Sequence, residues 1–347
     1  MVEFLNRYVS IQKEVVYGTE PTAGTGNGEL FGEVDDESIQ HNFELMTRED
    51  MSRPISAKAV TGTEYSEGDI NLAIQIDDFV GKLLWSFFPQ DAYSNPSGSL
   101  HQHILTEPSL TSASGGVYPS FTVRVGREEK EHTFTGMMTN TLSISASVGE
   151  YATMTVGFVG KAESATAALA TPTFDGVALD ALYFSQGEVK FDDGSSSAPG
   201  AVASVKSFSF DINLNRDTDN AYGIGSNTYG RAPPAQRREI TGTIEFNKVI
   251  YTTSLDEPTY DNLIAADGLE YNDGAAPSMQ LKLHDESGAE YIQIDFEKIR
   301  FEAPEASVSG RDTNTMTVNF VALYDDDRGC MTVTARGTAL SNAEYDA

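Results

Sequence analysis

The sequence Thr153-Met154-Thr155-Val156-Gly157-Phe158-Val159 returns almost unchanged as Thr315-Met316-Thr317-Val318-Asn319-Phe320-Val321. Six of the seven positions are identical. In both copies Met, Val and Phe alternate with threonine and other residues, and a period of two predicts a strand with one buried face. The match extends without gaps from residues 132–160 to residues 294–322. This repeat predicts a mainly β chain built by internal duplication.

The length of the chain and the order of its patterns predict two tandem domains. With 347 residues the chain exceeds the usual size of one domain. Each half presents a strand, a long polar connection, a second strand, an amphipathic helix and further strands. We therefore expect an N-terminal arm over 1–36, a first domain over 37–165, a connection with extra β material over 166–204 and a second domain over 205–347.

In the first half, alternation over 38–45 predicts a strand with one apolar face, and a second strand follows over 69–74. Apolar residues spaced three and four apart from Ile76 to Phe88 predict a helix that Pro89 ends. Trp85 lies off that stripe, so we expect it to face a second partner. Alternation predicts further strands over 121–125, 131–147, 151–159, 205–214, 239–246, 281–283, 291–296 and 315–324, whereas residues 90–120 are expected to be irregular.

The second half is expected to contain one helix. Ser254 or Asp256 is a candidate cap and Gly268 a candidate end. Tyr260, Leu263 and Ile264 would form its buried stripe.

The strand over 38–45 in the first half is expected to bury Ile39, His41, Phe43 and Leu45 on one face.

The charge of the chain argues against a nucleic-acid-binding surface. Lys and Arg number 23 against 52 Asp and Glu, which gives a formal charge of -29. Two specific explanations stand beside simple solubility. Dense surface carboxylates suit a protein that works at high salt, and a negative channel lets DNA pass without binding.

The remaining composition predicts a protein without a disulfide or a membrane span. Cys330 is the sole cysteine, which fits folding in a reducing cytoplasm. The first thirteen residues lack the apolar core of a signal peptide. No run approaches the roughly 18 consecutive apolar residues of a membrane-spanning helix.

No pattern of reactive side chains predicts an enzyme or a cofactor. His101 and His103 could share a metal ion, but no nearby cysteine or second pair supports that site. The acidic runs 192–193 and 325–327 lack the alternation of a calcium loop. We expect no catalytic residues, no metal and no cofactor, and interpret the chain as a structural or binding module.

Residues 7–21, which end in Tyr17-Gly18-Thr19-Glu20-Pro21, resemble the start of the tail tube (major tail) proteins of tailed phages and their archaeal relatives. The order of elements in each half is similar to the tube fold. The resemblance implies a tube-like β-sandwich or barrel with one flanking helix and a long hairpin loop, and the duplication predicts two such domains in tandem. Those loops would be residues 49–66 and 217–238.

The resemblance also implies a structural virion protein that assembles with itself and with other tail proteins. Rings would stack into a tube, assembled in the host cytoplasm, through which viral DNA passes without specific binding. Because the family usually has one tube domain and hexameric rings, a duplicated chain would form trimeric rings with pseudo-sixfold symmetry. Residues 90–120 and 174–200 would be additions to the tube core. The residues expected to take part in assembly are Tyr8, Tyr17, Gly18, Arg48, Arg53, Arg216, Tyr229 and Arg231.

A β-rich adhesion, receptor-binding or surface-layer module is the alternative. Such a module would carry aromatic residues in exposed loops. The only tryptophan, Trp85, falls instead in a predicted helix.

Overall fold

A computed structural model describes residues 7–24, 28–48, 51–52, 54–56, 58–107, 118–164, 166–174, 180–192, 199–201, 204–251, 258–265, 270–272, 278–306, 314–325 and 329–345. The chain is mainly β, as predicted. Its division into two domains stays a prediction.

The first half of the chain contains one helix among its described residues, α1 (Asp78–Trp85). Its strands are β1 (Arg7–Lys13), β2 (Leu30–Gly32), β3 (Asp36–Glu37), β4 (Gln40–Thr47), β5 (Ala59–Ala73), β6 (Gln90–Ser97), β7 (Leu100–Thr106), β8 (Phe121–Arg127), β9 (Lys130–Ser147), β10 (Thr153–Gly160) and β11 (Ala162–Glu163).

The second half contains α2 (Tyr260–Ala265). Its strands are β12 (Gly187–Phe191), β13 (Gly200–Ala201), β14 (Val205–Asn213), β15 (Glu239–Phe246), β16 (Glu270–Asn272), β17 (Met279–His284), β18 (Tyr291–Phe296), β19 (Lys298–Phe301), β20 (Met316–Ala322) and β21 (Met331–Gly337). The strands predicted over 121–125, 131–147, 205–214 and 239–246 are confirmed.

A long antiparallel sheet runs through both halves. From one edge its strand order is β16, β19, β20, β15, β14, β9, β10 and β5, after which β3 and β4 pair with β5. The strands β4, β5, β10 and β9 thus adjoin in that order, and so do β14, β15, β20 and β19. The two runs meet where β9 pairs with β14, with Ser145 opposite Ser209.

Shorter strands form a second layer behind the long sheet. In the first half β2, β1, β8 and the start of β9 are neighbours. In the second half β13, β12, β17 and β18 are neighbours, and β21, β7 and β6 continue that sheet. The hairpin β6–β7 from the first half therefore pairs, through β21, with strands of the second half.

One connected apolar core lies between these layers. Alternation along the long sheet turns one face of each strand inward, including Val156 and its repeat partner Val318, both fully buried. In the second half the Phe296 ring contacts the rings of Phe210 and Phe320 edge to face, with centroids 5.4 and 5.5 Å away.

The helix α1 closes the core of the first half. Asp77 caps it, because its carboxylate accepts a 2.8 Å hydrogen bond from the Val80 amide. Leu83 and Leu84 are fully buried, which confirms the predicted helix. Trp85 is buried against Phe121 and Tyr345 of the same chain, so the expected second partner is replaced by intrachain packing.

Three predicted segments differ from the structure. Residues 7–13, expected within a free arm, form β1 between β2 and β8, because Val9 and Ile11 are buried in the core. Residues 90–106, expected to be irregular, form the β6–β7 hairpin. The expected loop 49–66 is shorter, since residues from Ala59 onward pair with β4.

Two predicted apolar stripes are only partly buried. In β4, Phe43 and Leu45 are 57% and 62% exposed and His41 is partly exposed, whereas the preceding Ile39 is fully buried. In α2, Leu263 is buried but Ile264 is half exposed. The candidate caps Ser254 and Asp256 and the candidate end Gly268 lie outside the described residues. Periodicity predicted that each of these elements has an apolar and a polar face, but it did not predict which neighbours cover the apolar face.

Candidate assembly surfaces

The outward face of the long sheet is a continuous polar surface, which we call the polar face. It is made by the outward side chains of β5, β10, β9, β14, β15 and β20. On this face Ser209 lies between Ser145 and Thr243 on the neighbouring strands. Its members are Asp69, Asn71, Thr153, Thr155, Thr141, Ser143, Ser145, Ser147, Ser207, Ser209, Asp211, Asn213, Glu239, Thr241, Thr243, Glu245, Thr317 and Asn319.

The hydroxyl groups of the polar face bond to their neighbours across the strands. The Ser145 and Thr153 hydroxyls are 2.9 Å apart, and the Thr243 hydroxyl donates a 2.9 Å bond to the Asn319 side chain. Two cations lie beside this face: Lys206 at the start of β14, which is paired with Glu245 at 2.7 Å, and Arg300 of β19. Asp69, Asp211 and Glu239 are exposed, so the face carries net negative charge.

A second surface is the outer part of the β4–β5 hairpin, which extends beyond the body of the sheet. The strand β5 pairs with β10 only from Ser66 to Ala73. Its residues before Ser66 therefore pair only with β4 among the described strands. Unpaired outer strands with apolar side chains are a typical protein contact surface. The exposed apolar residues of this hairpin are Phe43, Leu45, Met46, Met51, Ile55 and Val60.

The connection 217–238 folds back onto this hairpin. The Glu64 amide donates a 2.7 Å bond to the Asn227 carbonyl, and the Asn227 side-chain amide donates a 2.5 Å bond to the Glu64 carboxylate. The Tyr222 hydroxyl donates a 3.4 Å bond to the Glu64 carbonyl. We call these contacts the Glu64 latch. They continue the pairing of β5 beyond the point where β10 ends.

The base of the connection 217–238 is well packed. Tyr229 is buried against Tyr222, with ring centroids 4.9 Å apart, and burial raises the pKa of its hydroxyl well above the ordinary value. Arg216 is 8% exposed, and its guanidinium donates bonds of 2.6 Å to the Thr139 carbonyl and 2.9 Å to the Pro233 carbonyl. Burial lowers the pKa of Arg216 to about 10.

The residues expected to take part in assembly do not lie on one surface. Tyr8 is buried, and its hydroxyl donates a 2.5 Å bond to the Glu131 carboxylate. The Tyr17 hydroxyl is also buried, and the Gly18 amide bonds to the Glu14 carboxylate at 2.7 Å. Arg216 and Tyr229 hold the connection 217–238 to the body of the protein, as described above.

The other expected arginines differ in their placement. Arg48 is exposed at the end of β4. Arg231 is exposed and donates a 3.1 Å bond to the Asn220 carbonyl within the connection 217–238. Arg53 lies outside the described residues. Among those residues that the structure describes, Arg48 is therefore the one on the exposed hairpin.

Sequence reasoning missed both the polar face and the Glu64 latch. The polar face had a signal, because Ser and Thr alternate with apolar residues over 141–147, 207–213 and 241–245. The latch had none, since Glu64 and Asn227 are 163 positions apart. Exposure of the β4–β5 hairpin had no signal either, because its alternation matches that of buried strands.

The histidine pair is part of the packing of the chain. The His101 ring contacts the Tyr93 hydroxyl at 2.8 Å. The buried His103 ring lies 2.8 Å from the Asp91 carboxylate and 3.0 Å from the Ser341 carbonyl. In the described part of the chain, no group of three or more His, Cys, Asp or Glu side chains is arranged to hold a metal ion. No helix in the described ranges is long and apolar enough to cross a membrane.

Comparison with known proteins identifies a match over nearly the whole chain. The family model described as phage tail tube protein matches residues 5–322. No curated protein matches the chain significantly.

Proposed function

Since this chain belongs to the phage tail tube protein family, we propose that it polymerises into stacked rings, forming a tube that delivers the viral genome. Membership indicates a structural component of the virion tail and a non-enzymatic role. Self-assembly and contact with other tail proteins follow from that membership. We propose that the tube assembles in the host cytoplasm and is then incorporated into the virion.

The observation that carries this proposal is the strand order of the long sheet. The runs β4, β5, β10, β9 and β14, β15, β20, β19 have the same order, and Gly68 and Gly242 hold equivalent places opposite Phe158 and Phe320. Two equivalent units in one chain mean that three chains supply six units. We therefore propose trimeric rings with pseudo-sixfold symmetry.

The junction between β9 and β14 indicates how neighbouring chains would join. If the same junction recurs between chains, the outer edge of 36–42 pairs with residues 303–306 of the next chain. Both edges already adjoin the long sheet, since Ser38 bonds to Asp69 and Glu305 pairs with Thr317. Pairing would remove the two open edges and close the ring. Pro304 lacks an amide proton and would leave one ladder bond unmade.

We propose that the polar face lines the lumen. Its side chains are mostly hydroxyls, amides and carboxylates, which offer DNA neither a cation nor an aromatic ring. Val321, opposite Thr241, is also on this face, and Arg300 of the neighbouring β19 lies at its edge, opposite Val321. Exposed carboxylates repel phosphates, so DNA would slide past instead of binding.

The β4–β5 hairpin is proposed to connect one ring to the next. Its exposed apolar side chains are each more than half exposed in the single chain. Burial of these side chains in a neighbouring ring would supply the association energy. The connection 217–238, predicted to be a second such loop, instead contacts this hairpin through the Glu64 latch.

The formal charge of -29 fits a virus that assembles at high salt. Salt at about 1 M screens charges beyond about 3 Å. Like charges on neighbouring chains would then no longer oppose ring assembly.

Negative-stain electron microscopy of the purified protein tests the ring proposal. We expect tubes or stacked rings whose class averages have threefold symmetry. Monomers at every salt and protein concentration would overturn the tube proposal. Sixfold rings of whole chains would overturn only the trimeric arrangement.

A further inference from the structure

Two groups of exposed apolar side chains lie at opposite ends of the long sheet. The β4–β5 hairpin forms one end. The strand β5 then runs 15 residues to Ala73, a length of about 50 Å. Ala73 pairs with Thr153, directly after the turn between β9 and β10. At this second end Val148, Tyr151 and Phe184 are 58%, 61% and 40% exposed.

A small groove lies at the second end. Its volume is about 100 Å³ and its apolar lining includes Val148, Phe184, Val189, Val205 and Phe208. The turn and the chain beside it are held together, because the Phe184 amide bonds to the Glu150 carbonyl at 3.1 Å. The Ala152 amide bonds to the Leu182 carbonyl at 2.8 Å. The groove is therefore preformed within one chain, which lowers the entropy lost on binding.

Both ends carry charges that can pair. Arg48 and Lys58 are exposed on the hairpin together with Glu44, and Glu150 is exposed beside the groove, whose lining includes Lys206. A contact between opposite ends of identical chains is head to tail, and contacts of this kind continue into filaments.

We propose that the β4–β5 hairpin of a second copy of the chain in the neighbouring ring docks on this end of the sheet, with the groove receiving one of its apolar side chains. The inference rests on the proposed function and names the receiving surface. Apolar hairpin side chains, with Leu45 at the centre of the exposed stripe, would cover Val148 and Phe184. Arg48 or Lys58 would then lie near Glu150. The part of the hairpin beyond Ser66 extends about 20 Å past the end of β10, which is enough to reach another ring.

Cysteine cross-linking tests the contact in assembled tubes. Chains with Leu45→Cys are mixed with chains carrying Phe184→Cys, assembled and treated with a short bismaleimide. We expect a cross-linked dimer band that neither variant gives alone. Leu45→Cys mixed with Ser94→Cys is the matched control, because Ser94 is exposed on β6, which lies five strands away from β12 in the second sheet. Cys330 is buried, and burial raises its pKa to about 12, so unmodified chains give the background.

Charge substitution supplies the second measurement. Leu45→Lys and Phe184→Glu should each leave threefold rings intact but shorten tubes at least about tenfold, since each buries an unpaired charge. Chains carrying both substitutions should regain tube length, because the new charges face each other. The matched control is Ser94→Glu, which should stack normally.

The outcomes separate this inference from the proposed function. If unmodified chains form stacked rings, but tubes of mixed Leu45→Cys and Phe184→Cys chains give no cross-link and Phe184→Glu stacks normally, the groove is not the receiving surface and the tube proposal stands. If unmodified chains never form rings or tubes, the proposed function and the inference both fail. A specific cross-link together with length restored by the double substitution supports the inference.

Discussion

Gly68 lies where the partner of β5 on one side changes from β3 to β4, while β10 pairs with it on the other side. Its φ is +151°, and an added Cβ would lie 2.4 Å from the Cα of Ile39. Backbone atoms cannot move aside as a flexible side chain can. Both the conformation and the close approach therefore require glycine at this position.

We expect Gly68→Ala to lower the free energy of unfolding by about 2–4 kcal/mol. Gly98→Ala is the matched control, because Gly98 also has positive φ, +54°, but has nothing within 4 Å of an added Cβ. Gly98→Ala should lower the free energy of unfolding by only about 1 kcal/mol, because it adds strain only from the left-handed backbone conformation. Urea denaturation measures both, and equal losses would refute the steric argument.

His103 makes the stability of the chain depend on pH. Burial lowers the pKa of His103. The hydrogen bond to Asp91, the negative charge of Asp91 and the hydrogen bond to the Ser341 carbonyl raise the pKa by more, so the pKa lies above its ordinary value of 6.5. A raised pKa means that the folded state binds the proton more tightly. The stabilisation is therefore fully present below pH 6.5 and is lost as pH rises through the folded pKa.

Asp91→Asn should remove this stabilisation. The difference in unfolding free energy between the unmodified protein and Asp91→Asn should be largest below pH 6.5 and shrink at alkaline pH. Chemical denaturation over a pH series measures it. A difference that grew with pH would show that the pair does not hold the proton as argued.

At the scale of elements, the connection 217–238 and the β4–β5 hairpin behave as one unit. Glu64 bonds through its amide, its carbonyl and its carboxylate to Tyr222 and Asn227. Because these bonds already restrict the hairpin, it loses less conformational entropy when it binds a partner. The latch therefore stabilises the direction in which the hairpin projects.

We expect Asn227→Ala combined with Tyr222→Phe to loosen the hairpin without unfolding the body. Loss of two hydrogen bonds of about 1 kcal/mol each should speed amide exchange in residues 42–47 and 59–64 about tenfold or more. Hydrogen exchange with mass spectrometry measures it, and exchange in β10 and β15 should not change. Asn247→Ala, an exposed asparagine at the end of β15, is the control. Unchanged hairpin exchange in the double variant would contradict the latch.

At the scale of the whole molecule, the charge of -29 makes repulsion between carboxylates a general destabilising effect. Raising NaCl from about 0.1 M to about 2 M should increase the melting temperature by several degrees, because the screening length falls to a few ångströms. A variant with Glu44→Gln, Glu150→Gln, Asp211→Asn and Glu239→Gln should gain less from salt. An equal rise in melting temperature in both proteins would indicate that salt acts on the burial of apolar surface and not on repulsion between carboxylates.

The polar face also leads to a prediction for the assembled tube. Ser145→Arg with Thr243→Arg should leave assembly intact but make the lumen retain double-stranded DNA. The binding should weaken with salt at a slope of about -0.9 per phosphate neutralised. Ser94→Arg with Ser97→Arg on exposed β6 adds the same charge elsewhere. Fluorescence anisotropy with short DNA measures both, and equal retention by the two variants would contradict a lumen lined by the polar face.

The sequence by itself determined most of the local elements and the family. Strand alternation, the capped helix α1 and the repeat around Val156 and Val318 follow from side-chain periodicity, which depends on neighbouring residues alone. The Ser and Thr positions of the polar face were also readable, because they share that period.

Only the tertiary structure decided which apolar stripes are covered. Phe208 and Phe43 have the same alternating pattern, yet Phe208 is buried by the second layer and Phe43 is left exposed. The latch between Glu64 and Asn227, the continuation of β21 by β7 and the burial of Trp85 likewise join residues far apart in the chain. Periodicity distinguishes the two faces of an element, but long-range packing decides what each face meets.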